Sequence, residues 1–134
     1  MLLSVHDESP AGQSLYEITL EFLSERITVR ELIRERVHRE VREFNRQQDK
    51  LTFDGLVQPS DTEQELNGPR HSYRLKKHRT LDWEAQFALA TDAFEKNGFF
   101  ILIDDKQAET LDEHFVIGPT TDVKFVKLVP LVGG

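Results

Sequence analysis

Residues 122–134 have the sequence Asp122-Val-Lys-Phe-Val-Lys-Leu-Val-Pro-Leu-Val-Gly-Gly134, a strand-like run followed by two glycines. Its β-branched and aromatic residues predict a final strand from Asp122 to Leu128 that is apolar on both faces. Pro130 has no backbone N–H, so it should end the strand's hydrogen-bonded ladder and send the next residues out extended. Gly133 and Gly134 lack a Cβ and therefore fit a narrow channel. Such a segment suits a carboxylate that another enzyme must reach; a chain end without a role is the simpler alternative.

Composition predicts one folded domain, residues 1–134. Hydrophobic residues make up 38% and charged residues 31% of the chain, and no apolar run approaches the roughly 20 residues that span a bilayer. The first residues lack the basic and apolar regions of a signal peptide, so we expect a cytoplasmic protein and no membrane partner. Because there is no cysteine, disulfides and thiolate metal sites are excluded. The net charge of −7 argues against a dedicated nucleic-acid binder.

The first 46 residues predict a hairpin followed by a helix. Residues 1–5 form a short strand, residues 10–14 a turn, and residues 16–22 a strand with one polar face. Thr28 is a good N-cap, and Glu31 three residues later completes a capping box. Ile27 and Leu32 can form a hydrophobic staple. The predicted apolar stripe of the helix comprises Val29, Leu32, Ile33, Val37, Val41 and Phe44. The predicted polar face comprises Arg30, Arg34, Glu35, Arg39, Arg42, Glu43 and Arg46.

Residues 47 to 80 have weak periodicity and predict a partly flexible insertion. Residues 51–57 suit a short strand and turn, and residues 58–69 have the composition of a polar loop. The basic run from Arg70 to Arg79 is interpreted as a solvated face, with contact to an acidic partner or a nucleic acid as the alternative.

The second half of the chain predicts a helix and then short strands. The helix should begin near Thr80 or Asp82 and stop at Asn97-Gly98. Its predicted core stripe is Trp83, Phe87, Ala90 and Phe94. Residues 99–103 form an apolar run that suits an interior strand covered on both faces. A turn at Asp104-Asp105, a short edge strand over residues 106–110, a turn-like stretch over 111–117 and a break at Gly118-Pro119 lead to the last strand.

This order of elements resembles that of the ubiquitin-like β-grasp family. Thr28-Val-Arg-Glu-Leu-Ile33 resembles the helix start of the small sulfur carriers of molybdopterin and thiazole synthesis. Residues 125–134 resemble the tails of those carriers and of bacterial ubiquitin-like modifiers. The resemblance implies an α+β fold, a mixed sheet packed on an amphipathic helix, in which the last strand lies beside the first. It covers residues 1–48 and those after Gly98; residues 49–97 would be an insertion with an added helix, and residues 130–134 a flexible C-terminal tail.

The resemblance implies a protein that is carried rather than an enzyme, and that itself binds no cofactor. In the family, an adenylating activating enzyme uses ATP and magnesium on the terminal carboxylate and passes the chain through thioesters, with a conjugating enzyme, to lysines of target proteins. A deconjugating peptidase completes the expected set of partners. Here Gly134 would react and Gly133 would give clearance. The residues expected to position the tail or be recognised are Leu128, Pro130, Leu131 and Val132, together with the sheet face that the helix leaves open.

The resemblance is compatible with three hypotheses about the function. The long insertion favours a protein modifier, as in bacterial ubiquitination-like gene clusters, some of which serve antiviral defence. A sulfur carrier would instead form a thiocarboxylate at Gly134 for cofactor or tRNA thiolation. A β-grasp interaction or assembly module would have a tail that never reacts.

The sequence offers little support for an independent enzyme or a metal site. It has neither a Gly-rich phosphate loop nor a motif that pairs a serine with a base. The pairs Asp104-Asp105 and Asp112-Glu113 are more simply turn residues than catalytic carboxylates. The five histidines lack metal-ligand spacing: His6, His38, His71, His78 and His114.

Overall fold

The protein has an α+β structure built around one mixed sheet. The structure, a computed structural model, describes residues 1–67 and 70–128. Those residues form the strands β1 Leu2–Glu8, β2 Ser14–Glu21, β3 Arg26–Thr28, β4 Thr52–Phe53, β5 Glu63–Asn67, β6 Arg70–Arg74, β7 Phe99–Ile103, β8 Lys106–Gln107, β9 His114–Val116 and β10 Val123–Lys127. Their helices are α1 Val29–Arg46 and α2 Trp83–Glu95. The α+β class predicted from the sequence is therefore confirmed.

The largest sheet has five strands in the order β2-β1-β10-β7-β8. Strands β1 and β2 form the predicted antiparallel hairpin, although β1 continues to Glu8 and the register shifts between Asp7 and Glu8. Strand β10 lies between β1 and β7; it is parallel to β1, with Val5 opposite Val123, and antiparallel to β7. The last described strand is thus paired on both sides in the middle of the sheet.

Helix α1 begins as the capping pattern predicts. The Thr28 side chain accepts a hydrogen bond from the Glu31 backbone N–H at 3.1 Å, and the Thr28 hydroxyl donates to Glu31 Oε1 at 3.3 Å. Every residue of the predicted apolar stripe is buried, so this prediction is confirmed. Arg36 and Glu40, which the sequence analysis assigned to neither face of the helix, are buried as well.

Helix α2 is capped by Asp82, whose carboxylate accepts from the Glu84 N–H at 3.2 Å. Ala90 and Phe94 are buried as predicted, whereas Trp83 and Phe87 are only half-buried. The helix ends at Glu95, and Asn97 adopts a positive φ of 61°, a conformation that asparagine tolerates at a helix C-terminus. The predicted stop is therefore confirmed.

Two predicted loops contain strands. In residues 58–69, β5 pairs with β6, and β6 pairs with β4, to give a second, three-stranded sheet. Within the turn-like stretch 111–117, β9 pairs with β3, with Phe115 opposite Ile27. The prediction of loops was wrong because both strands are stabilised by pairing rather than by their own composition: β5 pairs with the β6 strand that follows it, and β9 pairs with β3, which lies far away in the chain.

The insertion and α2 lie on the same side of the large sheet as α1. Side chains alternate between faces along β10, so Phe125 and Lys127 share one face. Phe125 lies under Arg36 of α1, and Lys127 Nζ donates to the Gly55 carbonyl oxygen of the insertion at 2.8 Å. Because nothing in the described part of the chain packs across the other face, Phe100 and Leu102 of β7 are only half-buried there. The prediction that β7 is covered on both faces was wrong.

Candidate functional site

The residues that the sequence predicts to react or to form the tail lie outside the described part of the chain. They are Pro130, Leu131, Val132, Gly133 and Gly134. Leu128 is described: it follows β10 directly and its side chain is 43% exposed. The candidate site that can be described is therefore the end of β10 and its surroundings.

Lys127, the last residue of β10, is tied to the insertion. Its ammonium donates to the Gly55 carbonyl oxygen at 2.8 Å and lies 5.4 Å from the centre of the Tyr73 ring. A cation over an aromatic face is attracted by the ring's negative face, and the attraction grows where water is excluded. Tyr73 is 6% exposed, so this contact is largely shielded from water. These contacts of Lys127 with Gly55 and Tyr73, here called the Lys127 brace, connect the insertion to the end of β10, one residue before Leu128.

Next to this brace lies a cluster of buried charges centred on Arg36 of α1. Arg36 Nε donates to Glu40 Oε1 at 2.8 Å, Nη2 donates to Asp7 Oδ2 at 2.7 Å, and Nη1 donates to Asp7 Oδ1. The guanidinium carbon lies 4.5 Å from the centre of the Phe125 ring. Since Asp7 is in β1 and Phe125 in β10, one arginine joins the helix to both central parallel strands. This fork–fork geometry is the strong form of the arginine–carboxylate contact.

The pKa values in this cluster follow from burial and charge. Burial lowers the pKa of Arg36, but Glu40 and Asp7 outweigh it, so the pKa of Arg36 lies above its usual value. Burial raises the pKa of Glu40 despite the opposing effects of Arg36 and, more weakly, Lys127. Burial, and then the charge of Glu40, raise the pKa of Tyr73 to about 12. Lys127 is therefore a second cation that compensates Glu40, whose Oε2 is buried with no hydrogen-bond partner among the described residues.

A groove of about 320 Å³ lies beside Leu128. The insertion, α2 and the large sheet form its walls, so residues from all three meet where the chain leaves β10. Its lining is mainly apolar and includes Leu56, Val57, Leu89, Phe99 and Leu128. Two of these side chains, Leu89 and Leu128, are more than 40% exposed.

The face of the large sheet turned away from α1, here called the open face, carries apolar side chains near the same end. Phe100 lies opposite Val126 in the register of β7 and β10, and Leu102 is two residues along from Phe100. On this face Lys124 contacts the carboxylates of Glu8, Asp122 and Asp105 within 3.6 Å, and Glu8, then Asp122, raise its pKa. The described residues of the insertion lie on the other side of the sheet, where Lys127 contacts Gly55.

The other residues singled out in the sequence have structural partners. Asp104 Oδ1 accepts from the Asp122 N–H at 2.9 Å, and the positive φ values of Asp104 and Asp105 build the tight β7–β8 turn. Glu113 Oε1 accepts from the Glu109 N–H at 2.9 Å, and Asp112 pairs with Arg30 at 3.3 Å. The Asp104 and Glu113 carboxylates thus stabilise turns, as the sequence predicts, whereas the Asp112 carboxylate forms an ion pair.

The basic run is divided by the fold into buried and exposed positions. Tyr73 and Leu75 are buried, whereas Lys76 and Lys77 are exposed, which agrees with a solvated outer face. His78 stacks on Phe44 with ring centres 5.0 Å apart. Among the described residues no group of three or more histidine or acidic side chains could hold a metal ion.

Sequence reasoning missed Arg36, Glu40, Tyr73 and Lys127. A signal existed for the first two, because Arg36 and Glu40 follow the buried Ile33 and Val37 at helical spacing and so fall on the core side of α1. For Lys127 the signal was the alternation of side chains along β10, which places Lys127 on the same face of the sheet as the buried Val123 and Phe125.

Comparison with known proteins leaves the family open. No protein-family model, curated protein or solved structure matches this chain. Within the described residues, no helix is both long enough and apolar enough to cross a bilayer.

Proposed function

We propose that the chain is a β-grasp protein and acts as a ubiquitin-like protein modifier whose C-terminal glycine is activated and joined to target proteins. The observation that carries the proposal is the strand order β2-β1-β10-β7-β8 with β10 parallel to β1. The resemblance implies that the last strand lies beside the first, and β10 pairs with β1 in this way. Strand β10 ends at Lys127, and Leu128 is six residues before Gly134.

The chemistry belongs to partner enzymes. The Gly134 carboxylate attacks the α-phosphate of magnesium-bound ATP, which releases pyrophosphate and leaves an acyl-adenylate. A cysteine thiol of the activating enzyme displaces AMP to form a thioester, and transfer to a conjugating enzyme's cysteine conserves that bond. The amine of a target lysine then displaces the thiol and forms an isopeptide bond. The chemistry requires Gly134 to carry the free carboxylate, as encoded or after a peptidase removes residues beyond it.

This chain contributes presentation and recognition. The Lys127 brace holds the end of β10 against the insertion, which fixes the position of Leu128, the last described residue before Gly134. Holding a reacting group near its productive position reduces the entropy lost on reaching the transition state. Gly133 and Gly134 have no side chains to exclude from a narrow channel. The open face and the groove beside Leu128 both offer apolar surface to partner enzymes at this end of the sheet.

The test is conjugation in cells that carry the gene with its native neighbours. An N-terminally tagged wild-type chain should form adducts of higher mass on denaturing gels, and deletion of Gly134 should abolish them. Lys127→Met keeps the aliphatic stem but removes the brace, so it should reduce the adducts. Lys96→Met is the matched control, since Lys96 is an exposed lysine at the end of α2 that pairs with Asp92 at 2.9 Å.

Adducts that persist in full after deletion of Gly134 would contradict the proposal. A wild-type chain without adducts, but with a mass gain that matches one oxygen replaced by sulfur, would assign the chain as a sulfur carrier. If the deleted form also supports every function of the wild type, the chain is an interaction module.

A further inference from the structure

A second groove lies between the two helices, far along α1 from its capped start. It has a volume of about 310 Å³ and is here called the α1–α2 groove. Its lining consists of His38, Val41, Arg42, Asn45, Arg46, Leu81 and Trp83. The first five of these are successive positions on one side of α1, and the last two belong to the start of α2 and the residues before it.

The apolar wall of this groove is fixed in place. Asn45 Nδ2 donates to the Leu81 carbonyl oxygen at 3.0 Å, and the Leu81 N–H donates to Asn45 Oδ1 at 2.9 Å. The rings of His38 and Trp83 meet edge to face with centres 5.0 Å apart. The half-buried Trp83 ring and Leu81 are thereby held in one arrangement, and a ligand need not pay the entropy of ordering them.

The rim of the groove is positively charged. Arg42 and Arg46 lie one helical turn apart, and the Arg34 guanidinium carbon is 5.5 Å from the centre of the Trp83 ring. The Arg46 pair with Glu43, at 3.6 Å, is exposed, and such pairs contribute little. Among the described residues that line the groove there is no carboxylate. On a chain with a net charge of −7, this local positive charge selects for an anionic ligand.

We propose that the α1–α2 groove docks a short acidic peptide segment of a partner protein. An apolar side chain of the segment packs against the half-buried Trp83 ring, beside the buried Leu81, and its carboxylates pair with Arg42 and Arg46. The groove admits one or two side chains, and the overall negative charge of the protein repels a long polyanion, so an acidic peptide fits better than a nucleic acid. This surface is separate from the end of β10, and the inference does not depend on the proposed conjugation.

Tryptophan fluorescence gives a direct test, because Trp83 is the only tryptophan in the chain. The full chain is titrated with a capped heptapeptide of alternating glutamate and leucine, and with the same peptide carrying lysine in place of glutamate. The acidic peptide should change the emission in a saturable way. Arg42→Gln combined with Arg46→Gln should weaken its binding about tenfold, equivalent to about 1.4 kcal/mol. Arg30→Gln, an exposed arginine of the first turn of α1, is the matched control and should bind like wild type.

Three results would overturn the inference: no saturable change with the acidic peptide, equal binding of the lysine peptide, or equal binding by the double variant. A thymidine oligonucleotide that binds more tightly than the acidic peptide would assign the groove to nucleic acid instead. Deletion of Gly134 should leave peptide binding unchanged, so loss of conjugation and loss of docking can be told apart.

Discussion

Replacement of Arg36 by methionine tests the buried cluster that joins α1 to the central strands. The Arg36 side chain is 2% exposed, and its partners Asp7 and Glu40 are 14% and 4% exposed. Methionine fills much of the same space but removes the cation that pairs with both carboxylates, so Glu40 keeps only the weaker effect of Lys127. Removing one partner of a buried pair usually costs about 3–5 kcal/mol, because the remaining charge is uncompensated. For a domain of this size, that loss lowers the melting temperature by roughly 10–20 °C.

The assay is urea unfolding followed by far-ultraviolet circular dichroism at pH 7. A companion variant, Arg36→Met with Glu40→Leu, should recover about 1–3 kcal/mol of the loss, because it removes the most deeply buried unpaired carboxylate. The deficit of Arg36→Met should also shrink at acidic pH, because the pKa of Glu40, which burial already raises, rises further without Arg36, and the protonated carboxyl no longer leaves a buried charge. A loss below about 1 kcal/mol would refute the reasoning, since a pair of that value behaves like a surface pair. The reasoning would also be refuted if the companion variant, Arg36→Met with Glu40→Leu, were less stable than Arg36→Met alone.

Three further perturbations test other parts of the account. Tyr73→Phe should make the protein less sensitive to alkaline pH. The pKa of Tyr73 is raised to about 12 in the folded protein, so the tyrosine ionises at lower pH in the unfolded chain, which favours unfolding. Between pH 9 and 11 the free energy of unfolding of the wild type should fall by about 1.4 kcal/mol more than that of the variant, measured by urea titrations. An added Cβ at Gly55 would overlap the Phe53 ring, so Gly55→Ala should lower the free energy of unfolding by about 1–3 kcal/mol. Gly118→Ala is the control: its added Cβ would have its nearest contact at 3.7 Å, so the unfolding free energy should be nearly unchanged in the same assay. Thr28→Ala should cost about 1 kcal/mol by loss of the α1 cap, and Thr28→Ser should restore most of it; equal unfolding midpoints would contradict this.

The elements that the sequence predicts well are those fixed by local signals. The Thr28 cap and the helix stop at Asn97-Gly98 act within a few residues, and the apolar stripe of α1 repeats every three or four residues. The same holds for the β7–β8 turn, whose residues Asp104 and Asp105 both adopt positive φ values. In each case the signal and its structural consequence lie within one or two turns of the chain, so tertiary context was not needed.

The elements that the sequence does not predict depend on partners far along the chain. Asp7 is 29 residues from Arg36, and Lys127 is 72 residues from Gly55, so no local pattern indicates either contact. Strand β9 is stabilised by pairing with β3, and its own three residues carry too little pattern to be assigned. Of the predicted site, only Leu128 belongs to the described residues, so the roles of Gly133 and Gly134 stay predictions.

The central claim, that Gly134 becomes joined to other proteins, is tested most directly by mass spectrometry of tryptic peptides from cells that carry the native neighbouring genes. Trypsin cuts after Lys127, so conjugation predicts target lysines that bear the branch Leu-Val-Pro-Leu-Val-Gly-Gly, residues 128–134. The branch should disappear when Gly134 is deleted. If the peptide of residues 128–134 is recovered only with a free carboxylate, or continues into further residues in every condition, the claim is wrong.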